Sequence, residues 1–301
     1  MTTTSGATLQ DALTHGQGVE RPFRCEAHDD TMASASVNVV KMIWYCHACH
    51  ASGSVDGKKA PSVEMLEAMI QPEKAARVYP EAFLELYSDP GYWLDRFPAW
   101  LCHALGLGYD PFTKDAIFPV HTPGGLFAGV GRRKATLEEG GPRYKYPHNW
   151  SAASTLFGSN GRYPRFDVLA LGEGAADAAA IWEVGCPGLA VYGAGLHFPQ
   201  RELLSRYAPK LVLLGFDMDK AGEDAVTRGF KMIGRQMLVA RVRWPAKDPG
   251  ECSVQERKKA LLTAVATGGY RGDVLPTWEA SVARMQEQYQ RYVEERNEQE
   301  Q

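Results

Sequence analysis

Between Phe166 and Trp244, four short apolar runs alternate with three stretches of helical character. The runs are Asp167–Leu171, Leu189–Tyr192, Leu211–Phe216 and Met237–Val242; the helical stretches are Ala175–Val184, Pro199–Tyr207 and Gly222–Ile233. Strands this apolar have no wet face, and a helix between each pair provides the long crossover that parallel neighbours need. The rhythm predicts a parallel sheet covered by helices on both faces. In such sheets ligands bind at the carboxyl ends of the strands, and acidic residues fall there. Glu173 follows the first run between Gly172 and Gly174, and Asp217 and Asp219 follow the third. Residues two apart in extended backbone share a face, so the two aspartates are expected to point the same way. Three converging carboxylates repel one another unless cations sit among them, and oxygen-only ligands select Mg2+ or Mn2+. The competing reading makes Asp217 and Asp219 turn and helix-cap residues before Ala221-Gly222; Glu173 on a neighbouring strand tips the balance towards a metal site. The run Gly229–Arg235 lacks the Gly-Lys-Ser/Thr ending of a nucleotide-binding phosphate loop, which argues against a fused helicase.

Cysteine spacing is the second constraint. Cys25-x2-His28 and Cys46-x2-Cys49 are two short ligand pairs separated by a hairpin's length of chain. Each pair can aim two soft ligands at one point, and together they complete a tetrahedral Cys3His zinc site. The alternative is that these residues merely fill a small core, or that His47 or His50 replaces one of the four. The surrounding runs Ser36–Val40 and Lys41–Tyr45 read as short strands of a unit too small to hold its fold without a metal. Such a closed site is structural, which leaves recognition as its task.

The rest of the chain is less regular. Met1–Gly18 reads as a loose arm, Gly57–Pro61 as a boundary, and Ser62–Ile70 and Pro80–Leu86 as helices. Ala116–Val120, a turn at Pro123–Gly125 and Leu126–Val130 read as a hairpin, followed by a polar stretch from Arg132 to His148. Beyond Trp278 one long helix is predicted, with Trp278, Val282, Met285, Tyr289 and Val293 as its apolar stripe. Arg132, Arg133, Lys134, Arg143 and Lys145 form a basic cluster suited to phosphates, unless Glu138 and Glu139 mark it as a solvated loop. A net charge of -3 excludes a protein coated in positive charge but not local nucleic-acid binding. No apolar run approaches membrane-span length and no secretory leader is visible, so a cytoplasmic protein is expected.

These motifs carry a resemblance. Phe23–His28 and Tyr45–Gly53 resemble the zinc ribbon of bacterial and phage DnaG-type primases, although Glu26-Ala27 and His50 depart from the usual residues. Gly172-Glu173-Gly174-Ala175-Ala176-Asp177 and Phe216-Asp217-Met218-Asp219-Lys220-Ala221-Gly222 resemble the two signature motifs of the toprim domain, with Lys247-Asp248-Pro249 similar to a later primase element. Tyr92–Phe97, Leu105–Asp110, Ile117–Val120, Gly129–Arg132, Tyr144–Pro147 and Leu156–Gly158 resemble, more loosely, the segment these primases place between ribbon and toprim.

The resemblance implies a multidomain α/β protein. It would comprise an arm and β-rich zinc ribbon at 1–57, a linker at 58–78, a mixed α+β N-terminal part of an RNA polymerase domain at 79–163, a toprim parallel-sheet domain at 164–260 and a helical segment at 261–301. It implies a nucleotidyltransferase of DNA replication that makes short RNA primers on single-stranded DNA from NTPs. The resemblance supports one structural Zn2+ on Cys25, His28, Cys46 and Cys49, and catalytic Mg2+ or Mn2+ on Glu173, Asp217 and Asp219. Arg132, Arg133, Lys145 and Lys220 are expected to bind template or triphosphate. Asp177 is read as a helix cap or a group supporting the carboxylates, and Asp248 as a further acid or a turn residue. A separate replicative helicase is the expected partner, in a bacterial cell or a phage-infected host. Two alternatives stay open: a metal-dependent toprim nuclease, and a non-catalytic zinc-ribbon DNA-binding adaptor. A topoisomerase would need strand-passage domains for which no sequence is left.

Overall fold

The computed structural model describes residues 8–15, 20–29, 33–39, 43–49, 51–55, 76–134, 144–160, 164–193 and 195–299. The chain divides into two compact units, Met1–Lys74 and Ala75–Gln301. The expected boundary at Gly57–Pro61 and helix at Ser62–Ile70 lie outside the described residues.

In the first unit, strands β1 (Glu20–Phe23), β2 (Ala35–Asn38), β3 (Ile43–Cys46) and β4 (Ser52–Ser54) form an antiparallel sheet in chain order. Part of the supposed arm is ordered: α1 spans Leu9–His15. The Thr8 amide and hydroxyl both donate to Asp11 Oδ2 (3.0 and 2.8 Å), and the Asp11 amide donates back to Thr8 Oγ1. This reciprocal cap satisfies donors that a helix start otherwise leaves open. Arg21 Nη1 secures the other end by donating to the Ala12 and Leu13 carbonyls. The core is small: Ala12, Phe23, Ala35, Val37 and Val39 with Cys25 and Cys46.

The second unit holds two sheets. Strands β5 (Gly108–Asp110), β6 (Asp115–His121), β7 (Phe127–Lys134) and β8 (Tyr144–Lys145) are antiparallel in chain order. The expected hairpin is β6–β7, but β7 continues past Val130, placing Arg132 opposite Ile117 and Arg133 opposite Ala116. The polar stretch therefore begins as a strand, and consecutive arginines on it face opposite ways. The expected helix at Pro80–Leu86 is a 3-10 helix, Glu81–Tyr87, with none of its residues buried. A further 3-10 helix at Gly91–Asp95 and α2 (Ala99–Leu105) had no counterpart in the sequence reading.

The parallel sheet is built from β9 (Val168–Gly172), β10 (Gly188–Ala190), β11 (Leu211–Leu214) and β12 (Leu238–Arg241) in the order β10-β9-β11-β12. Its helices are α3 (Ala175–Glu183), α4 (Phe198–Arg206), α5 (Lys220–Ile233), α6 (Val254–Thr267) and α7 (Leu275–Gln299). Alternate residues serve opposite faces, as period-2 geometry requires. Val168, Ala170, Leu211 and Leu213 pack with Ile181, Leu261 and Trp278 from α3, α6 and α7. Leu169, Leu171, Val212 and Leu214 pack with Leu203, Leu204, Ala225 and Val226 from α4 and α5. The buried amide of Gln200 ties the two sheets' surroundings together, its Nε2 donating to the carbonyls of Ala152, Thr155 and Val191. No described helix is long and apolar enough to cross a membrane.

Candidate active site and metal centre

The carboxyl ends of β9 and β11 open into a cleft of about 230 Å³. Glu173, Asp177, Asp217 and Asp248 line it together with Arg96, Arg133 and Lys247. Glu173 leaves the end of β9, and its Oε1 accepts from the Asp217 amide at 3.2 Å. Asp177, in the first turn of α3, reaches back so that its Oδ2 accepts from the Gly174 amide at 2.8 Å. That approach demands glycine at 172, where a Cβ would stand 2.7 Å from the Asp177 Cβ. Gly222 plays the same part for the aspartate loop, since a Cβ there would lie 2.0 Å from the Asp217 carbonyl oxygen. Lys247 Nζ stands 3.7 Å from Asp217 Oδ2.

These acids make one another harder to ionise. Burial, then Asp217, pushes the Glu173 carboxyl up. Burial, then Asp248, does the same to Asp217. Asp177 is driven up to about 7 by burial, despite the Gly174 amide, with Asp248, Asp217 and Glu173 all contributing. An acid cluster held above its ordinary range is short of positive charge, and a divalent cation fits that deficit.

The aspartate pair divides differently from its expected shared strand face. β11 ends at Leu214, so Asp217 and Asp219 lie in the loop beyond it. Asp217 lines the cleft, whereas exposed Asp219 caps α5, its Oδ1 accepting from the Gly222 amide at 3.0 Å. Asp219 thus takes the cap role of the competing reading, while Asp217 faces the cleft. Asp219 is still close enough for its charge to act on Glu173 and Asp217. Asp248 is both a cap, accepting from the Glu251 amide at 3.0 Å, and a cleft residue. Lys220 is exposed at the start of α5 and does not line the cleft.

The basic residues also separate. Arg133 faces the cleft; its Nη1 donates to the Tyr92 hydroxyl at 3.1 Å, while its buried Nε has no partner. Arg132 is bound instead to Asp110 (2.6 Å), the Thr113 hydroxyl and the Tyr87 hydroxyl (both 3.0 Å). With its cross-strand neighbour Lys145 it lines a second groove of about 300 Å³, walled by Tyr79, Phe83, Tyr87 and Phe127. Arg143 lies outside the described residues. The sequence reading gave no role to Arg96 or Lys247, although both stand inside quoted motifs. Tyr144, Tyr146 and Tyr192, also in the cleft wall, carried no signal beyond their place in such motifs.

In the first unit, Cys25, His28, Cys46 and Cys49 bring their ligand atoms within 4.8 Å of one another, a set that can hold a metal ion. Cys25 Sγ and Cys49 Sγ are 3.7 Å apart. A tetrahedral ion with metal–sulfur bonds of about 2.3 Å requires sulfurs about 3.8 Å apart. Burial opposes ionisation of Cys46, but the Cys49 amide and Ser34 hydroxyl outweigh it and bring the thiol to about 6.

Residues 170–253 match the family described as Toprim-like. A DNA primase of Clostridium acetobutylicum is 30% identical over 166 residues, covering 52% of this chain and 27% of the relative. The chain thus spans about a quarter of that relative's length. Among solved structures, the zinc-binding and RNA polymerase domains of the Aquifex aeolicus primase superpose with a TM-score of 0.52 at 19% identity, over 83% of this chain and 79% of that one. The Escherichia coli primase catalytic core gives 0.51 at 18% identity, over 62% and 78%. The chain carries a toprim-like domain and has the mixed α/β fold of the zinc-binding and RNA polymerase domains of DnaG-type primases.

Proposed function

We propose that this chain is a primase, synthesising short RNA on a single-stranded DNA template. The carrying observation is the cleft in which Glu173, Asp177, Asp217 and Asp248 meet Arg96, Arg133 and Lys247. Acids that resist ionisation beside cleft-lining cations suit a metal–triphosphate, which brings positive charge to the first and phosphate oxygens to the second. Glu173, Asp217 and Asp219 are the ligands we assign to Mg2+ or Mn2+, with Asp177 holding the Gly174 turn and Asp248 completing the acidic wall. A divalent cation held there neutralises the phosphates and eases loss of the attacking hydroxyl's proton. Arg133, with its unpartnered buried Nε, and Lys247 grip triphosphate oxygens. The 3′-hydroxyl of the preceding nucleotide then attacks the α-phosphorus, and the bond to pyrophosphate breaks.

The groove of Arg132 and Lys145 is our assignment for template. Tyr79, Phe83 and Tyr87 offer ring faces on which bases stack irrespective of sequence, and the cations follow the backbone. Exposed Lys220 is our assignment for a phosphate contact from solvent. The Cys3His site takes Zn2+, with recognition of the start site as its task.

Incubation with single-stranded DNA, NTPs and Mg2+ or Mn2+ tests the reading. New oligonucleotides are expected from the wild type and none from Asp217→Asn. Template cleavage without NTPs, and no new product, would establish the nuclease alternative instead.

A further inference from the structure

On the sheet's far side from β10, β12 is an edge strand, and no described strand pairs with its outer side. The Leu238 and Val242 amides donate inward to the Lys210 and Leu214 carbonyls. In a parallel ladder alternate residues turn both N–H and C=O to the same side, so Val239 and Arg241 present theirs outward. An open edge of this kind is a template for another strand.

Beside that edge lies a groove of about 790 Å³. Val239, Ala240, Ala260 and Ala264 give it an apolar floor, with half-exposed Phe230 on one rim. Three cations stand in its wall: Arg241, Arg243 and Lys259. The acids nearby already have partners. Glu223 is ion-paired to Arg241, and Glu256 accepts from the Ser253 amide and hydroxyl at the start of α6. Arg243 and Lys259 meet no acidic partner among the described residues. The Arg241 side chain is only 10% exposed, yet its buried Nε has no acceptor. Burial and the adjacent Arg243 both weigh against the Arg241 charge, which Glu223 answers, leaving Arg243 and Lys259 as the cations open to a ligand.

We propose that the edge of β12 receives an extended acidic segment of a partner protein, which adds as a further strand, seats apolar side chains on the groove floor and brings carboxylates to Arg243 and Lys259. Backbone pairing supplies the affinity and the alternating side chains the selectivity. A nucleic acid would use the cations but leave the outward amides and the apolar floor unanswered. The site is independent of the primase reading, although Arg241 Nη2 also contacts Met218 Sδ at 3.4 Å, behind the Asp217 loop.

The test uses the full chain and a fluorescent decapeptide alternating Glu with Val. Saturable binding is expected, together with slowed hydrogen exchange at the Val239 and Arg241 amides. Arg243→Glu with Lys259→Glu should weaken binding by at least about tenfold while leaving primer synthesis unchanged. A copy of the peptide N-methylated at alternate amides should lose binding to the same degree. The proposal is overturned by absence of binding up to about 1 mM. Equal binding of the N-methylated peptide, or equal displacement by oligothymidylate, overturns it too by showing an anion site without strand addition. Concentration-dependent dimerisation that protects the same amides would assign the edge to a second copy and overturn it likewise.

Discussion

Asp177 keeps its carboxyl beside three other acids, and its titration gives the cleft a measurable signature. Raised to about 7 when folded, it holds a proton that the unfolded chain has already released. Between about pH 4 and pH 7 the native state therefore binds the extra proton, so rising pH erodes stability across that window and has no further effect above it. Below about pH 4 this contribution is fully present. Thermal melts of the metal-free protein should fall across the window, and Mn2+ should raise the midpoint more at pH 8 than at pH 5.5. Asp177→Asn keeps the acceptor for the Gly174 amide and removes the charge. It should flatten the pH dependence, stabilise the metal-free protein at pH 8 by on the order of 3 kcal/mol, and diminish the Mn2+ effect. An unchanged pH profile would show that Asp177 does not titrate there. The neighbouring arginines make a second contrast. Arg132→Ala strands Asp110, whose side chain is 8% exposed, and should cost about 2–3 kcal/mol in denaturant unfolding. Arg133→Ala breaks no ion pair among the described residues and should raise the NTP KM at least about tenfold with little loss of stability.

At the scale of elements, α6 shows what holds the sheet's open side. Its Arg257 Nη2 reaches Glu183 on α3 at 2.6 Å, with both side chains largely buried. Removing one partner of a buried pair leaves the other uncompensated, so Arg257→Ala should cost about 3–5 kcal/mol in urea unfolding. Arg257→Met with Glu183→Leu should recover most of it, whereas equal losses would mean that packing alone matters. The sequence reading began its helical segment only at residue 261, although this helix starts at Val254 and its start was written in the sequence. Ser253 and Glu256 form a capping box, the Ser253 amide donating to Glu256 Oε2 at 2.8 Å, ahead of apolar Leu261, Ala264 and Val265. The parallel strands were legible because each is an apolar run, broken only by Arg241 in β12, and Glu173 and Asp217 because they stand at the ends of those runs. The other side of the cleft was not. Arg133 enters it through the β6–β7 register, and Arg96 and Lys247 arrive from distant segments; no local pattern encodes such convergence. Asp219 parted from Asp217 because the strand stops at Leu214, and the helix start then claimed its carboxylate.

For the whole molecule, the division into two units has an energetic consequence. The second unit has three hydrophobic clusters of its own. Among the described residues the first has one, of seven buried residues, two of which are Cys25 and Cys46 of the candidate metal site. A core that small offsets little of the chain entropy of folding, so folding of the first unit is expected to depend on metal binding. Melting should then show two transitions, and a zinc-selective chelator should abolish one while leaving the other in place. Cys46→Ala, which deletes a ligand that is also a core residue, should reproduce the chelated state with less than one zinc per chain. If ribbon and polymerase divide the work as proposed, that variant extends a supplied primer at near wild-type rate but no longer discriminates among starting sites. A single transition insensitive to chelation would refute metal dependence, whereas loss of extension together with site choice would refute only the division of labour. The two outcomes separate because the four ligands and the cleft's acids are built on different units, each with its own core.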